Sequence, residues 1–565
     1  MKVDLKRNPF YLKDEDIKWV ESSIEKMTLD EKVGQLFCVL FKEAQQEEIE
    51  QIFSVLQPGG CMYRKIPMDL AIDFSNTIQE KSNIPLLIAA NLEKGGNGIV
   101  NEGTLVGAPM QIAATDDVEM VMKMATVCAL EGKAVGANWA FAPIIDIDYN
   151  FRNPITNTRT FGSNPLLVKE MGAAYVETVQ GLGMASSIKH FPGDGRDERD
   201  QHLVTSINDC TVEVWDATYG MVYKECIDKG ALTVMAGHIM QPAYSKKINP
   251  QIKDDEILPG SLSKELLQGL LRKQLGFNGL IVTDAATMAG FTIPMSRKDA
   301  VPFCIEAGCD MFLFSRNLEE DFEYMKAGIE KGIISESRLN EALTRILATK
   351  AALGIHKSNL YVSKEKAREV VGCRRHKEWA EECANKAITL VKEEKGVLPL
   401  TPEKYKRILI YPIESVGGVS QYATRPVCAA FADKLKKCGF EIEVFEVQNV
   451  SEGHVSRTDS MIDNIDAIIY LANLATKSNQ TAVRIEWAQP MGANCPHYIQ
   501  DISTIFISVE NPYHLLDVPR IKTFINTYSS HDECIDALIE KLVGDGEFLG
   551  KSPIDAFCGK WDTHL

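Results

Sequence analysis

No apolar run in this chain approaches the about 20 residues that cross a bilayer as a helix, and the opening MKVDLKRNPFYLKDEDIKW lacks the apolar core of a secretory signal. The two absences lead to the expectation of a cytoplasmic protein with no membrane partner. Positive charge is also short: 61 lysines and arginines face 78 aspartates and glutamates, a formal net charge of −17. Such a surface repels nucleic-acid phosphate and anionic lipid, which leaves a small or neutral ligand as the expected partner. The 14 cysteines form no C-x-x-C pair, so zinc ribbons and thioredoxin-type redox motifs are not supported. In a reducing compartment they read as small buried hydrophobes. No G-x-G-x-x-G follows the first strand-like run, which argues against a doubly wound dinucleotide-binding sheet. No cofactor and no metal are expected.

What is present is ordinary soluble-protein composition, 45% hydrophobic and 25% charged, in 565 residues, too many for one core. From Gln35 to Ser315 one theme repeats, a short apolar β-rich run followed by an amphipathic helical stretch. The runs fall at Gln35–Leu40, Gly59–Tyr63, Leu86–Ala90, Ala137–Pro143, Ser187–Phe191, Thr233–His238, Leu280–Asp284 and Asp310–Ser315. Between them, TDDVEMVMKMATVCALEGKAVG keeps Val118, Val121, Met122, Ala125 and Cys128 on one helical face behind Thr115 and Asp116 as cap candidates. Eight βα units in about 300 residues match a (β/α)8 TIM barrel. Helical stretches continue over Arg338–Leu353 and Lys364–Glu393, broken by GIHKSNLYV, and a second βα series runs through RILIYPI, EIEVFEV, DAIIYLANL, TIFISVENP and IKTFINTY. The expected organisation is therefore an α/β chain with a barrel over residues 1–355, a helical linker region over 356–395 and a smaller α/β domain over 396–565.

Catalytic groups of a TIM barrel sit where strands end. Strand three is followed by Asn91 and Glu93, strand four by Asp146, Asp148 and Arg159; strand five ends in Lys189 and His190, strand six in His238 and strand seven in Asp284. Asp284, closing the buried run GLIVTD, reads either as a helix cap or as a nucleophile or general base, and the neighbouring charges favour the second. Beyond strand five, KHFPGDGRDERDQH offers Asp194, Asp197, Glu198 and Asp200 as carboxyl candidates. It also holds His202, two residues from Asp200, close enough for a carboxylate to orient the imidazole and raise its pKa. A carboxylate nucleophile beside a separate proton donor, with cationic side chains for hydroxyl groups, suits displacement at the anomeric carbon of a sugar with retained configuration.

KHFPGDG, DERDQH, FAPIIDID with TRTFGSNP, and SLSKELLQGLLRKQLGFNGLIVTDAATMAG resemble, in order, the blocks of glycoside hydrolase family 3, in the branch of bacterial β-N-acetylhexosaminidases. NKAITLVKEEKGVLPL and VENPYHLLDVPRIKTFINTY resemble its second domain. The resemblance implies that Asp284 is the nucleophile and that Asp200 and His202 form the acid/base dyad. Lys189, His190 and Arg159 would bind hydroxyls of the cleaved sugar, and His238 would line the same subsite. The implied activity is release of a terminal β-linked N-acetylhexosamine, GlcNAc before GalNAc, by a monomer or homodimer. Two departures stand out. NLEKGGN places Asn91 where the family commonly has an aspartate, and Asp194 stands where the hexosaminidase branch usually has histidine. The alternatives are a β-glucosidase or glycoside phosphorylase of the same family, a metal-dependent TIM-barrel hydrolase using His190, His202, His238 and Asp284, and a non-catalytic sugar-binding relative. With the dyad in place, the second domain need not supply the acid, and a structural or dimer-forming role is expected for it.

Overall fold

The structure is a computed structural model that describes residues 3–414, 425–446 and 457–565, apart from 477, 480, 482, 483 and 489–491. The chain forms two compact units. The first comprises Met1–Val106, Val121–Asn150 and Asn164–Lys377; the second comprises Gly107–Met120, Phe151–Ser163 and Glu378–Leu565.

The first unit is a parallel barrel built from all eight expected runs: β1 (Phe37–Phe41), β2 (Gly60–Tyr63), β3 (Leu87–Ala90), β4 (Trp139–Ala140), β5 (Ala185–Phe191), β6 (Thr233–Ala236), β7 (Leu280–Thr283) and β8 (Phe312–Leu313). They pair in the order β8-β1-β2-β3-β4-β5-β6-β7, and a bridge between Val282 and Met311 closes the ring. Every residue of β3, β5, β6 and β7 is buried, as expected of parallel strands covered on both faces. Within the expected run at Ala137–Pro143 the regular strand is Trp139–Ala140, and beyond it Ala142 O and Pro143 O still accept the Ser187 and Lys189 amides at 2.9 and 3.2 Å, although Pro143 has no amide hydrogen to return. The helix of TDDVEMVMKMATVCALEGKAVG spans Val118–Ala134. Its cap is neither Thr115, which ends the preceding helix, nor Asp116, but Asp117, whose carboxylate accepts the Glu119 amide at 2.9 Å.

The second unit holds a six-stranded sheet: β9 (Thr389–Lys392), β10 (Arg407–Glu414), β11 (Glu441–Val444), β12 (Ala467–Asn473), β13 (Ser503–Ser508) and β14 (Thr523–Asn526), in the order β9-β14-β13-β12-β10-β11. Val447, the last residue of EIEVFEV, lies outside the described residues. The helical reading through Glu393 is corrected here. Helices cover Lys364–Val370 and Arg374–Ala387, but the next residues form β9, antiparallel to β14. The β-branched and apolar TLV answers to a neighbouring strand rather than to helical periodicity. On one face of the sheet Tyr411, Tyr470, Phe506 and Phe524 are in register on adjacent strands and stack with ring planes within 10°.

All 14 cysteines are free, and all but Cys373, Cys438 and Cys495 are buried. No helix among the described residues is long and apolar enough to cross a membrane.

Lys350, on the helix Glu336–Ala352, is fully buried and donates to Gln35 Oε1 at 2.7 Å. Burial pushes its ammonium down from 10.5 to about 7. Between those values the unfolded chain holds the extra proton, so this residue makes stability rise with pH across that window. We expect the unfolding free energy of the wild type, relative to Lys350→Met, to climb between pH 7 and 10.5 by up to about 4 kcal/mol. Parallel pH profiles for the two proteins in chemical denaturation would contradict this.

Candidate active site

Five strand ends of the first unit bring the expected charged residues together. Beyond β3, Asn91 is exposed, while Glu93 is partly buried and accepts Lys189 Nζ at 2.7 Å. Glu93 opens a turn in which the Val106 amide bonds Lys94 O and Gly95 bridges Leu105. A residue with no signal in the sequence braces this turn. Glu131, fully buried, accepts the Thr104 amide and hydroxyl at 2.8 and 2.7 Å, the Gly372 amide at 3.0 Å and His376 Nδ1 at 2.7 Å. Read from sequence, Glu131 is one more acid on an amphipathic helix.

At the end of β5 the Lys189–His190 and Phe191–Pro192 peptides are cis. Asp146, almost wholly buried, organises this corner. One of its oxygens accepts the amides of His190 and Asp194 at 3.0 and 2.8 Å, and the other takes His190 Nδ1 at 2.7 Å. A carboxylate fixes the imidazole proton on the nitrogen that faces it, so Nε2 of His190 is left facing Asp284 Oδ2 at 3.9 Å.

Asp284 follows β7 directly and is 5% exposed. Its Oδ1 accepts the next amide, Ala285, at 2.7 Å, which is a local turn and not the cap of a helix, since the following helix starts at Ala289. Its Oδ2 is buried and accepts no hydrogen bond among the described residues. Burial opposes ionisation of this carboxyl, but His190, His238, His202 and the Ala285 amide outweigh it and hold its pKa below the usual carboxylate range. His238 is fully buried and, mainly for that reason, more acidic than an ordinary histidine. Both its nitrogens are engaged, Nε2 with Ala285 O at 3.1 Å and Nδ1 with Ser261 Oγ at 2.9 Å. In the neutral ring Nε2 donates and Nδ1 accepts, which locks the backbone immediately after Asp284.

The loop after β5 carries the Asp-x-His pair. His202 Nδ1 lies 2.6 Å from Asp200 Oδ1, which also accepts the His202 amide at 2.8 Å. Asp200 is buried, while the His202 side chain is 21% exposed, so the imidazole is anchored on one edge and accessible on the other. The Ala289 amide bonds His202 O at 3.0 Å, tying this loop to the segment beyond Asp284. Gln201, fully buried between the two dyad residues, accepts the His238 amide at 2.9 Å and reaches Asp194 Oδ2 at 3.3 Å. A glutamine inside a charged run reads from sequence as a solvated loop, so its role was not legible. Asp194 itself points inward, accepting the Gly195 amide at 2.7 Å.

The base of the loop is fixed: Trp215 Nε1 donates to Pro192 O at 2.8 Å, Tyr219 Oη to Asp194 O at 2.8 Å and Asn208 Nδ2 to Gly193 O at 3.0 Å. Gly193 (φ +112°) and Gly195 (φ +103°) make its bends, and a Cβ on Gly193 would collide with the Tyr219 ring. Asp148 is buried in the first unit. Arg159 belongs to the second unit, at the end of the short 3-10 helix Asn157–Arg159. Among the described residues no group of three or more His, Cys, Asp or Glu side chains is arranged to hold a metal ion.

The family model described as the glycosyl hydrolase family 3 N-terminal domain matches residues 28–349. A protein of Cellulomonas fimi named beta-N-acetylglucosaminidase/beta-glucosidase is 49% identical over 564 residues, covering all of both chains. Beta-hexosaminidase A of Pseudoalteromonas piscicida is 30% identical over 351 residues, 59% of this chain and 58% of that one. Among solved structures, a beta-glucoside phosphorylase superposes with TM-score 0.92 at 42% identity, covering 99% of each chain. A family 3 beta-N-acetylglucosaminidase from Paenibacillus sp. str. FPU-7 superposes with TM-score 0.78 at 25% identity, covering 94% of this chain and all of that one.

Because Gly193 sets the course of the loop that carries His202, Gly193→Ala should displace the imidazole while leaving the barrel folded. The expected result is a loss of about 100-fold in kcat/KM, the scale of an ångström-level misplacement, with an unchanged far-ultraviolet circular dichroism spectrum. Wild-type kinetics in this variant would show that the loop tolerates the shift.

Proposed function

The chain belongs to glycosyl hydrolase family 3, and from that membership and the geometry of the barrel mouth we propose that it is a retaining, exo-acting glycosidase. The substrate is a terminal β-linked N-acetylglucosamine, with β-glucosides as the second substrate class. The observation that carries this reading is the Asp284 carboxylate: buried, held ionised by surrounding imidazoles, with one oxygen left unbonded.

In this reading Asp284 Oδ2 attacks the anomeric carbon while His202, as imidazolium, gives its Nε2 proton to the departing oxygen. The glycosidic bond breaks as the sugar–Asp284 ester forms. Neutral His202 then takes a proton from water, whose oxygen displaces Asp284 from the sugar with overall retention. Asp200 keeps the ring oriented and stabilises its charged form in the first step. Lys189, held by Glu93, presents a fixed donor to the sugar hydroxyls, and His190, held by Asp146, presents its Nε2 to them. His238, engaged on both nitrogens, acts through Ala285 as a positioning residue for the nucleophile. Asn91 replaces an acidic acceptor by an amide, which weakens selection at the sugar hydroxyl it faces and accords with the double name of the Cellulomonas relative.

Phosphorolysis is the second reading, favoured by the imidazole acid/base and by the likeness to the 42% identical beta-glucoside phosphorylase. A neutral histidine repels an incoming phosphate less than a carboxylate base would. A phosphate oxygen would then attack the anomeric carbon, the bond to Asp284 would break, and sugar 1-phosphate would leave.

Trapping with a 2-deoxy-2-fluoroglycosyl fluoride should label Asp284, read by peptide mass spectrometry; a label on another residue overturns the nucleophile assignment. His202→Ala should lower kcat/KM about 10²- to 10⁴-fold for glycosides with poor leaving groups, and far less for activated aryl glycosides. Equal losses on both would remove His202 from the acid role. Product analysis with and without inorganic phosphate decides between the readings: free sugar alone supports hydrolysis, and sugar 1-phosphate supports phosphorolysis.

A further inference from the structure

Away from the strand ends that carry the site, the first unit contains a second concentration of charge, and it is basic and buried. Asp310, two residues before β8 and fully buried, is surrounded by three guanidinium groups. Arg272 Nη2 reaches its Oδ2 at 2.7 Å; Arg338 Nη2 and Arg345 Nη1 reach its Oδ1 at 2.5 and 3.5 Å. All three arginines are more than nine-tenths buried. Burying a cation without a matching anion is costly, and one carboxylate does not match three guanidinium groups. Glu341 adds a second carboxylate, 3.5 Å from Arg345 and 3.7 Å from Arg338. One positive charge is still left in excess.

The arginines open onto a cavity of about 240 Å³, which is also lined by Lys273 and by Ser335 and Ser337 at the start of the 17-residue helix Glu336–Ala352. Lys273 brings a further cation, and the helix adds the positive end of its dipole. Glu306, the remaining acid on the lining, is taken by Lys264 at 3.3 Å and by the amide and hydroxyl of Ser335. Arg338 also leaves a hydrogen-bond donor free. Its Nε and Nη2 are bonded to Ile305 O, Cys309 O and Asp310, whereas its buried Nη1 makes no hydrogen bond among the described residues and has only the ion pair with Glu341 at 3.7 Å. A buried donor without a hydrogen bond is costly.

We propose that this cavity is a binding site for a small tetrahedral oxyanion, inorganic phosphate or the phosphate group of a hexose phosphate. A guanidinium donates in a planar fork that suits phosphate oxygens. The cavity falls below the about 300–1,000 Å³ of drug-sized ligand sites, which fits an anion of this size. Burial and the neighbouring Arg345 already pull the Arg272 guanidinium well below its ordinary value, a repulsion that a bound dianion relieves.

The test is hydrogen–deuterium exchange of the full-length protein in sodium phosphate against sodium chloride of equal ionic strength, with titration calorimetry of both ligands. Inorganic phosphate and glucose 6-phosphate are the two probes. Protection of the peptides over residues 268–273 and 335–345 is expected with at least one probe. The exposed Ser337, replaced by Glu, keeps the buried arginines intact and should weaken that binding about tenfold or more, a cost of about 1.4 kcal/mol. Arg338→Met, which removes the Nη1 donor, should abolish it. Tighter binding of inorganic phosphate identifies the free anion as occupant, and tighter binding of glucose 6-phosphate the esterified one; both support the site. Absence of protection there with either probe, protection confined to the Asp284 pocket, or unchanged affinity in Ser337→Glu would overturn it.

Discussion

One buried carboxylate with an unspent oxygen sets the terms for everything around it. Asp284 sits where burial favours the neutral acid, yet histidines gathered from β5, β6 and the long loop keep it charged. Those histidines can do so only because each is held by a partner of its own. His190 leans on Asp146, His238 on Ser261 and Ala285 O, and His202 on Asp200. The arrangement is a carboxylate supported by imidazoles that are themselves supported by carboxylates and hydroxyls. Preorganisation of this kind is where enzymes gain most over water, since the dipoles need not turn when charge moves.

The sequence made the barrel legible because its strands are buried on both faces and therefore read as unbroken apolar runs. The same runs located the strand ends, and with them Glu93, Asp146, Lys189, His190, His238 and Asp284. Where the reading faltered, a tertiary partner had overridden a local pattern. Thr389–Lys392 continues a helical stretch in sequence but finds the edge of β14 in space. Glu131 and Gln201 look like solvent-facing residues and are wholly buried, because their partners, Thr104, Gly372, His376 and His238, lie 27, 241, 245 and 37 residues away along the chain. No window of local sequence contains such pairs. Asp117 in place of Asp116 as a cap is a smaller instance, in which the neighbour's left-handed backbone (φ +52°) removes it from the capping position.

The loop after β5 illustrates how rigidity and reach are divided along one segment. Its first three residues, Pro192, Gly193 and Asp194, are pinned by an indole, a phenol and an amide from elsewhere in the barrel, while charged residues such as Arg196 and Arg199 stand toward solvent and pair with Asp209 and Asp197. His202 is thus carried on a loop with a fixed root. Only the few residues between Gly195 and Asp200 separate that root from the Asp200–His202 pair.

Two short stretches, Gly107–Met120 and Phe151–Ser163, leave the barrel after its third and fourth strands and fold with the second unit. There Met110 and Ala114 share a core with Ala387, Tyr513 and Tyr528, and Asn157 bonds Asn511 at 3.1 Å. Neither unit is thus written as one uninterrupted stretch of gene. A recombination event that exchanged everything beyond Lys377 between two relatives would transplant most of a hydrophobic core and leave the rest of it behind in the recipient. The two units are consequently bound to be inherited, and to drift, together.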